Sequence, residues 1–176
     1  MSRSNSFRTS ILAIGCGTII AGTVHAQNPV YDITGNVAND HLGFSVANAG
    51  DMVNADGMND ILVGAPEDGA LLNPQEGYVS LVSGLNGSVV HTWHGDVAGD
   101  LFGFSVAGDA DVDGDGTPDV IAGAPYHTNV QSADGLVRVL SGATKSELFT
   151  VYGDQFGQQL GRQVTGCGDL NGDGRF

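Results

Sequence analysis

One short stretch of the chain carries aspartates at the first, third, fifth and ninth positions of a loop-like segment. These are Asp111, Asp113, Asp115 and Asp119. Four carboxylates this close would repel one another without a cation, and Gly116 allows the sharp turn that brings them together. Ca²⁺ takes about six to eight oxygen ligands at about 2.3–2.6 Å. The spacing therefore predicts a calcium loop, with the main-chain carbonyl of Thr117 as the seventh-position ligand.

An EF-hand loop shares the first five positions and the glycine, but it requires a bidentate Glu at the twelfth position. That position is Ala122, which lies inside an apolar run. We therefore predict a loop between two strands, in which Asp119 opens the second strand and chelates the ion with both carboxylate oxygens.

A related loop occurs about 60 residues earlier. Its predicted ligands at the third, fifth, seventh and ninth positions are Asn54, Asp56, the Met58 carbonyl and Asp60. Asp51 lies one residue further upstream than the spacing requires. Either Asp51 reaches the ion through a bulge, or Met52 occupies the first position and leaves a weaker site.

A third loop begins near the end of the chain. Its predicted ligands are Asp169, Asn171 and Asp173. The ninth position would be residue 177, so this site does not close within the 176 residues. The stretch 168–176 also resembles the opening of a dockerin calcium loop, but the alignment of Gly161 and Val164 with Gly103 and Val106 favours a third copy of the repeat.

The loops belong to a unit that is repeated with a period of about 60 residues. Pairs of glycines hold that spacing at independent points, namely Gly43 and Gly103, Gly64 and Gly123, Gly84 and Gly142, and Gly103 and Gly161. A fixed period of this kind indicates a repeat architecture.

Each unit contains four short apolar segments separated by turn residues. In the second unit they are residues 104–107, 120–122, 136–140 and 148–151. No segment beyond residue 26 has helical periodicity. Four strands per tandem unit predict an all-β fold of four-stranded antiparallel β-propeller blades rather than a sandwich. Residues 31–34 resemble the last strand of a unit, and we expect them to complete a final blade.

The N-terminus has the pattern of a signal peptide. Arg3 and Arg8 precede an apolar run at 11–24, and Ala26 is the small residue expected before the cleavage point. A run of about 14 residues is too short to span a bilayer, which needs about 20. We therefore expect an exported protein, located outside the cell, at its surface or in the periplasm. Removal of the signal peptide, which contains Cys16, would leave Cys167 as the single cysteine.

These patterns divide the chain into four parts. We expect a signal peptide at 1–26, an N-terminal strand and first blade at 27–95, a second blade at 96–153 and part of a third at 154–176. Two blades and a fragment make an incomplete ring, so the remaining blades are expected elsewhere in a longer array.

The charge balance limits the class of partner. Six basic residues against 20 acidic ones give a formal net charge of −14. This charge disfavours nucleic acids and anionic membrane surfaces as partners and favours cations.

No residue pattern indicates catalysis. The two Gly-Phe-Ser-Val-Ala segments, which contain Ser45 and Ser105, lack the second glycine of a nucleophile elbow and occur once per unit, which favours packing. His91 and His94 are three residues apart, so they face opposite sides of a strand. We interpret Trp93, the only tryptophan, as a blade-edge contact rather than a sugar platform.

Phe102-Gly103 followed by Gly123-Ala124-Pro125, with Gly64-Ala65-Pro66 in the first unit, resembles the FG-GAP repeat of integrin α-chain propellers and related bacterial exported proteins. The resemblance covers residues 31–176. It implies a seven-bladed propeller used mainly in adhesion and ligand recognition, with calcium bound in hairpins between the first two strands of a blade. Leu42 and Leu160 depart from it, each standing where the phenylalanine is expected.

Two functions are compatible with these features. The first is a calcium-stabilised module that contacts an extracellular protein or glycan through the variable loops 67–76 and 126–134. The second is a non-catalytic scaffold within an exported polysaccharide lyase or lipase, whose active site would lie beyond residue 176.

Overall fold

The computed structural model of the chain describes residues 31–35, 39–66, 76–129, 133–169 and 172. The predicted signal peptide at 1–26 and the predicted ligands Asn171 and Asp173 lie outside these residues.

The described residues form two four-stranded antiparallel sheets, each with its strands side by side in chain order. The first consists of β1 (Ser45–Gly50), β2 (Asp60–Ala65), β3 (Tyr78–Val82) and β4 (Val89–His94). The second consists of β5 (Ser105–Ala110), β6 (Asp119–Ala124), β7 (Leu136–Leu140) and β8 (Glu147–Tyr152). This arrangement confirms the predicted all-β fold, with four strands in each unit. Nowhere in the described ranges is there a helix that could cross a membrane.

Burial differs between the middle and edge strands of each sheet. The middle strands β2 and β3 are buried on both faces, which explains why they are nearly continuous apolar runs rather than alternating ones. The edge strand β4 is mostly exposed apart from Trp93. A large apolar cluster joins the two sheets, since it contains Leu62 and Leu81 of the first sheet together with Val106 and Val120 of the second.

The sheets interlock where the glycine-rich segments meet. Ser45 Oγ in β1 donates a hydrogen bond to the main-chain carbonyl of Gly103 at 2.7 Å. A Cβ on Gly64 in β2 would overlap that same carbonyl oxygen. The Phe-Gly turn of one unit therefore sits on the Gly-Ala-Pro segment of the unit before it, and only glycine leaves room for it.

The same contact recurs one unit later. Ser105 Oγ donates to the carbonyl of Gly161 at 2.7 Å, and a Cβ on Gly123 would overlap that oxygen. Both serine hydroxyls thus hold neighbouring units together, in agreement with the packing interpretation of the Gly-Phe-Ser segments.

Residues 31–35 are not assigned to a strand. Ile33 is buried in a second apolar cluster with Val63 and Val82, on the face of the first sheet that is turned away from the second. Tyr31 Oη donates to the carbonyl of Leu85 at 2.6 Å, in the turn between β3 and β4. Pairing of this segment with a final blade stays a prediction.

Candidate metal centre

The loop between β5 and β6 is stabilised by hydrogen bonds from its main-chain N–H groups to its own aspartate side chains. Asp111 Oδ1 accepts hydrogen bonds from the main-chain N–H groups of Gly114 and Asp115, at 2.7 and 3.1 Å, and its Oδ2 accepts one from Gly116 at 2.8 Å. Asp115 Oδ1 accepts the N–H of Thr117 at 2.8 Å. Gly114 and Gly116 have φ values of 81° and 90°, which other residues rarely adopt. The sequence therefore encodes both the turn and the donors that stabilise it.

Three of the predicted ligands come together in this loop. One carboxylate oxygen each of Asp111, Asp113 and Asp115 lies within 4.8 Å of the others. Two oxygens that share a Ca²⁺ ion at about 2.3–2.6 Å are at most about 5 Å apart, so the group has the size of a calcium coordination shell. An all-oxygen donor set also suits a hard cation better than zinc or copper. The residues present therefore fit the predicted ion.

Asp119 lies outside that group and has a different environment. Its Oδ2 accepts the N–H groups of Val112 and Asp113, at 2.8 and 3.3 Å, and its Oδ1 accepts the N–H of Gly142 at 2.9 Å. The residue is fully buried. The carboxylate therefore joins the start of the loop to the turn between β7 and β8. Direct chelation by Asp119, like ligation by the Thr117 carbonyl, stays a prediction.

Burial raises the pKa of the Asp119 carboxyl above its usual value, although its three N–H donors act in the opposite direction. The charge of Asp113 raises the pKa further. A cation bound beside Asp113 would favour the charged form of Asp119 by offsetting this repulsion.

The first loop repeats this arrangement with one additional residue. Asp60 Oδ2 accepts the N–H groups of Met52 and Val53, at 2.8 and 2.6 Å, as Asp119 does for Val112 and Asp113. Asp51 therefore occupies the place of Asp111, and its Oδ1 and Oδ2 accept the N–H groups of Asp56 and Gly57, at 3.1 and 2.7 Å. Asp51 therefore stands at the first position of the loop in place of Met52, whereas ligation of an ion by Asp51 stays a prediction.

The additional residue is accommodated by two left-handed positions. Asn54 and Ala55 have φ values of 66° and 48°. Asp56 keeps the place of Asp115, because its Oδ1 accepts the N–H of Met58 at 2.9 Å. This loop offers two carboxylates where the second loop offers three. Ligation by Asn54, the Met58 carbonyl and Asp60 stays a prediction.

The third loop begins in the same way as the second. Asp169 Oδ1 accepts the N–H of Gly172 at 2.6 Å, which is the counterpart of the bond from Gly114 to Asp111. This contact is compatible with another copy of the acidic loop.

Sequence reasoning did not identify the function of Gly84 and Gly142. Their N–H groups donate to Asp60 Oδ1 and Asp119 Oδ1, each at 2.9 Å. A Cβ on Gly142 would overlap the carbonyl oxygen of Pro118, and a Cβ on Gly84 would overlap that of Asn59. Their regular spacing was visible in the sequence, but the carboxylates that they contact were not.

The histidines around Trp93 face different surroundings. The ring of His91 contacts the ring of Trp93 edge-on, with centroids 4.6 Å apart, and burial lowers the pKa of His91. His94 Nδ1 lies 3.9 Å from Glu76 Oε1 instead. The two imidazole rings therefore contact different neighbours. Trp93 itself is buried against the second sheet, as a blade-edge contact would be.

Comparison with known proteins gives one family match and several relatives. A family model described as "FG-GAP repeat" matches residues 102–140. The chain is 33% identical over 153 residues to "Integrin alpha pat-2" of Caenorhabditis briggsae, an alignment that covers 76% of this chain and 12% of the relative. It is 30% identical over 145 residues to "Integrin alpha-PS2" of Drosophila melanogaster, covering 76% and 10%.

A vertebrate relative shows a similar level of identity over a shorter alignment. "Integrin alpha-5" of Xenopus laevis is 36% identical over 106 residues, which cover 56% of this chain and 10% of the relative. The chain therefore spans about a tenth of the length of these curated relatives.

Proposed function

Because this chain is an FG-GAP repeat protein similar to integrin α chains, we propose that it forms a calcium-stabilised recognition module of an exported protein. FG-GAP repeats of the integrin α type indicate an adhesion or recognition module. Calcium binding, export and contact with an extracellular protein or glycan belong to this proposal.

The observation that carries the calcium proposal is the carboxylate group of the second loop. Asp111, Asp113 and Asp115 converge within 4.8 Å although all three are negatively charged. Seven hydrogen bonds from main-chain N–H groups of the loop to aspartate oxygens hold it in this form. Ionised carboxylates at this separation repel one another. Bound calcium would supply the compensating charge.

The aspartates of the second loop would have different roles in calcium binding. Asp113 and Asp115 are the less constrained carboxylates and would mainly hold the ion, whereas Asp111 also fixes the turn through three N–H donors. Asp119 would position the loop, because its carboxylate accepts the N–H of Val112 at the start of the loop and the N–H of Gly142 in the turn between β7 and β8. The first loop would bind more weakly, since it has one carboxylate fewer.

We place ligand recognition at the opposite end of the sheets. Consecutive strands are antiparallel, so the β2–β3 and β6–β7 connections leave the sheets at the end away from the acidic loops. These connections differ in sequence between units whose strands repeat. Variable connections on a repeated scaffold commonly determine specificity. Tyr126, which is 45% exposed at the start of the second connection, would contribute to contact with an extracellular protein or glycan.

Calcium is expected to raise the thermal stability of the purified chain, because a ligand that binds only the folded state stabilises it by RT ln(1 + [L]/Kd). At a hundredfold excess over Kd this amounts to about 2.7 kcal/mol. Asp115→Asn is expected to remove most of the effect, since Asp115 is exposed and its carboxylate accepts the N–H of Thr117 within the same loop. Thermal unfolding with and without calcium, followed by circular dichroism, measures this.

Asp154→Asn is the matched control, because it makes the same charge change at an exposed site outside the acidic loops. It should keep the full response to calcium. An equal response in Asp115→Asn and the unchanged chain would mean that calcium acts elsewhere, and no response in either would refute the proposed site.

A further inference from the structure

One turn connects the acidic loop of the second sheet to the first sheet. This turn, residues 141–146, joins β7 to β8 and is called here the seam turn. On its own sheet it contacts Asp119, whose Oδ1 accepts the N–H of Gly142 at 2.9 Å. The other oxygen of Asp119 accepts N–H groups of Val112 and Asp113 in the acidic loop. A single buried carboxylate is therefore shared between the loop and the seam turn.

The fit between the loop and the seam turn is close. A Cβ at Gly142 would overlap the carbonyl oxygen of Pro118, which is the last residue before β6. The backbones of the loop end and of the turn are thus in direct contact. A displacement of one must move the other, because packed backbone cannot compress to absorb it.

On its other side the seam turn holds the first sheet. The indole Nε1 of Trp93 donates a hydrogen bond to the carbonyl of Lys145 at 2.9 Å. Trp93 is only 7% exposed and Lys145 is half-buried, so this bond is partly shielded from water. Lys145 is held in the left-handed region, with φ of 64°, and its Nζ donates to the carbonyl of Gly142 within the turn. The carbonyl that Trp93 uses is therefore fixed by the conformation of the turn.

The first acidic loop also reaches the seam turn. The buried side chain of Met52 lies beside Gly142, where its Cγ would be 3.1 Å from an added Cβ. The N–H of Met52 donates to Asp60 Oδ2 at 2.8 Å. Contacts therefore run without interruption from one acidic loop, through the seam turn, to the other loop and to the only tryptophan.

We propose that the seam turn couples the acidic loop of the second sheet to the contact between the sheets, so that cation binding in that loop changes the environment of Trp93. This inference rests on the calcium binding proposed above. An ion bound to the Asp113 carboxylate would restrain the Asp113 N–H that donates to Asp119 Oδ2. Asp119 Oδ1 in turn accepts the N–H of Gly142, and the seam turn carries the Lys145 carbonyl that accepts the Trp93 indole N–H. Coupling between two sites is reciprocal. The factor by which bound cation strengthens the indole hydrogen bond is therefore the factor by which loss of that bond weakens cation binding.

The first test follows the fluorescence of Trp93 in the chain while CaCl₂ is added, with calorimetry on the same sample. Trp93 is the single tryptophan of the chain, so its emission has one source. We expect the emission to shift with the same midpoint as the heat of binding. The shift should be lost in Asp115→Asn, which removes a ligand without touching the seam turn.

The second test uses the reciprocal effect. Trp93→Phe keeps an aromatic ring in the seam but removes the N–H that donates to Lys145, and we expect it to weaken calcium binding about fivefold in calorimetry, at the lower end of typical coupling. Tyr152→Phe is the control, because it removes the hydroxyl group of an exposed aromatic residue at the end of β8, outside the seam turn, and it should leave the affinity for calcium unchanged.

The outcomes separate the two proposals. If calcium produces heat that Asp115→Asn abolishes, but neither the Trp93 emission nor the affinity of Trp93→Phe changes, the coupling is wrong and the calcium site stands. If calcium produces no heat, both are wrong. If Tyr152→Phe weakens binding as much as Trp93→Phe does, the effect does not pass through the seam turn and the coupling is again wrong.

Discussion

Replacing Gly64 by alanine is expected to destabilise the fold by about 3 kcal/mol, near the upper end for overpacking a filled interior. The φ of Gly64 is not in the left-handed region, so alanine meets no conformational penalty there. Its Cβ would instead overlap the carbonyl oxygen of Gly103 and Ser45 Oγ. Relief requires the second sheet to move away from the first and the Ser45 hydrogen bond to break. Urea unfolding of the two proteins measures the difference in free energy.

Gly166→Ala is the matched control for this prediction. Its Cβ would lie 3.7 Å from Ala110 Cβ and 3.8 Å from the carbonyl oxygen of Gly108, which are ordinary contacts. Its φ is also outside the left-handed region. This variant should be neutral or slightly stabilising, because alanine lowers the entropy of the unfolded chain. Equal stability of Gly64→Ala and Gly166→Ala would show that the sheets do not interlock at Gly64.

Asp119→Ala is expected to lower the free energy of unfolding by about 3 kcal/mol even when calcium has been removed by a chelator. The substitution leaves three main-chain N–H groups, those of Val112, Asp113 and Gly142, without their buried acceptor. Unsatisfied buried donors carry the full cost of their lost hydration. Urea unfolding in the presence of chelator isolates this structural contribution from any effect of the ion.

The comparison for Asp119 is Asp113→Ala under the same conditions. Asp113 is half-buried and accepts one N–H, from Asp115 at 3.0 Å, while its charge faces those of its neighbours. Its removal should cost far less without calcium, because lost repulsion offsets the lost hydrogen bond. A similar cost for both variants would argue against a separate structural role for Asp119.

The architecture and the converging carboxylates could be predicted because both are encoded locally. Strand and turn signals recur with each unit, and Asp111, Asp113 and Asp115 are brought together by a turn that lies within the same stretch of sequence. Short-range geometry of this kind depends on glycine positions and residue spacing alone.

The role of Asp119 could not be predicted in the same way. The sequence spacing suggested an ion ligand, which stays a prediction, but it did not indicate that Asp119 Oδ1 accepts the N–H of Gly142, which is 23 residues away. Likewise, the partner of Ser45 Oγ is the carbonyl of Gly103 in the next unit, 58 residues away. Such contacts depend on how the sheets pack, and that packing cannot be read from residue spacing in a single sequence.

The first acidic loop illustrates a smaller ambiguity. The sequence permitted either Asp51 or Met52 at the first position, because one inserted residue can be absorbed in several ways. In the structure the inserted residue is accommodated by Asn54 and Ala55, which both adopt left-handed backbone conformations. Asn tolerates that region but Ala seldom does, so propensity alone would not have indicated this solution.

The central claim is that three aspartates of the second loop hold a calcium ion, and a crystal structure of the chain grown with Ca²⁺ tests it most directly. We expect anomalous density for one ion at about 2.3–2.6 Å from an oxygen of each of Asp111, Asp113 and Asp115. Saturating calcium that leaves this loop without an ion, with the three carboxylates pointing apart, would contradict it.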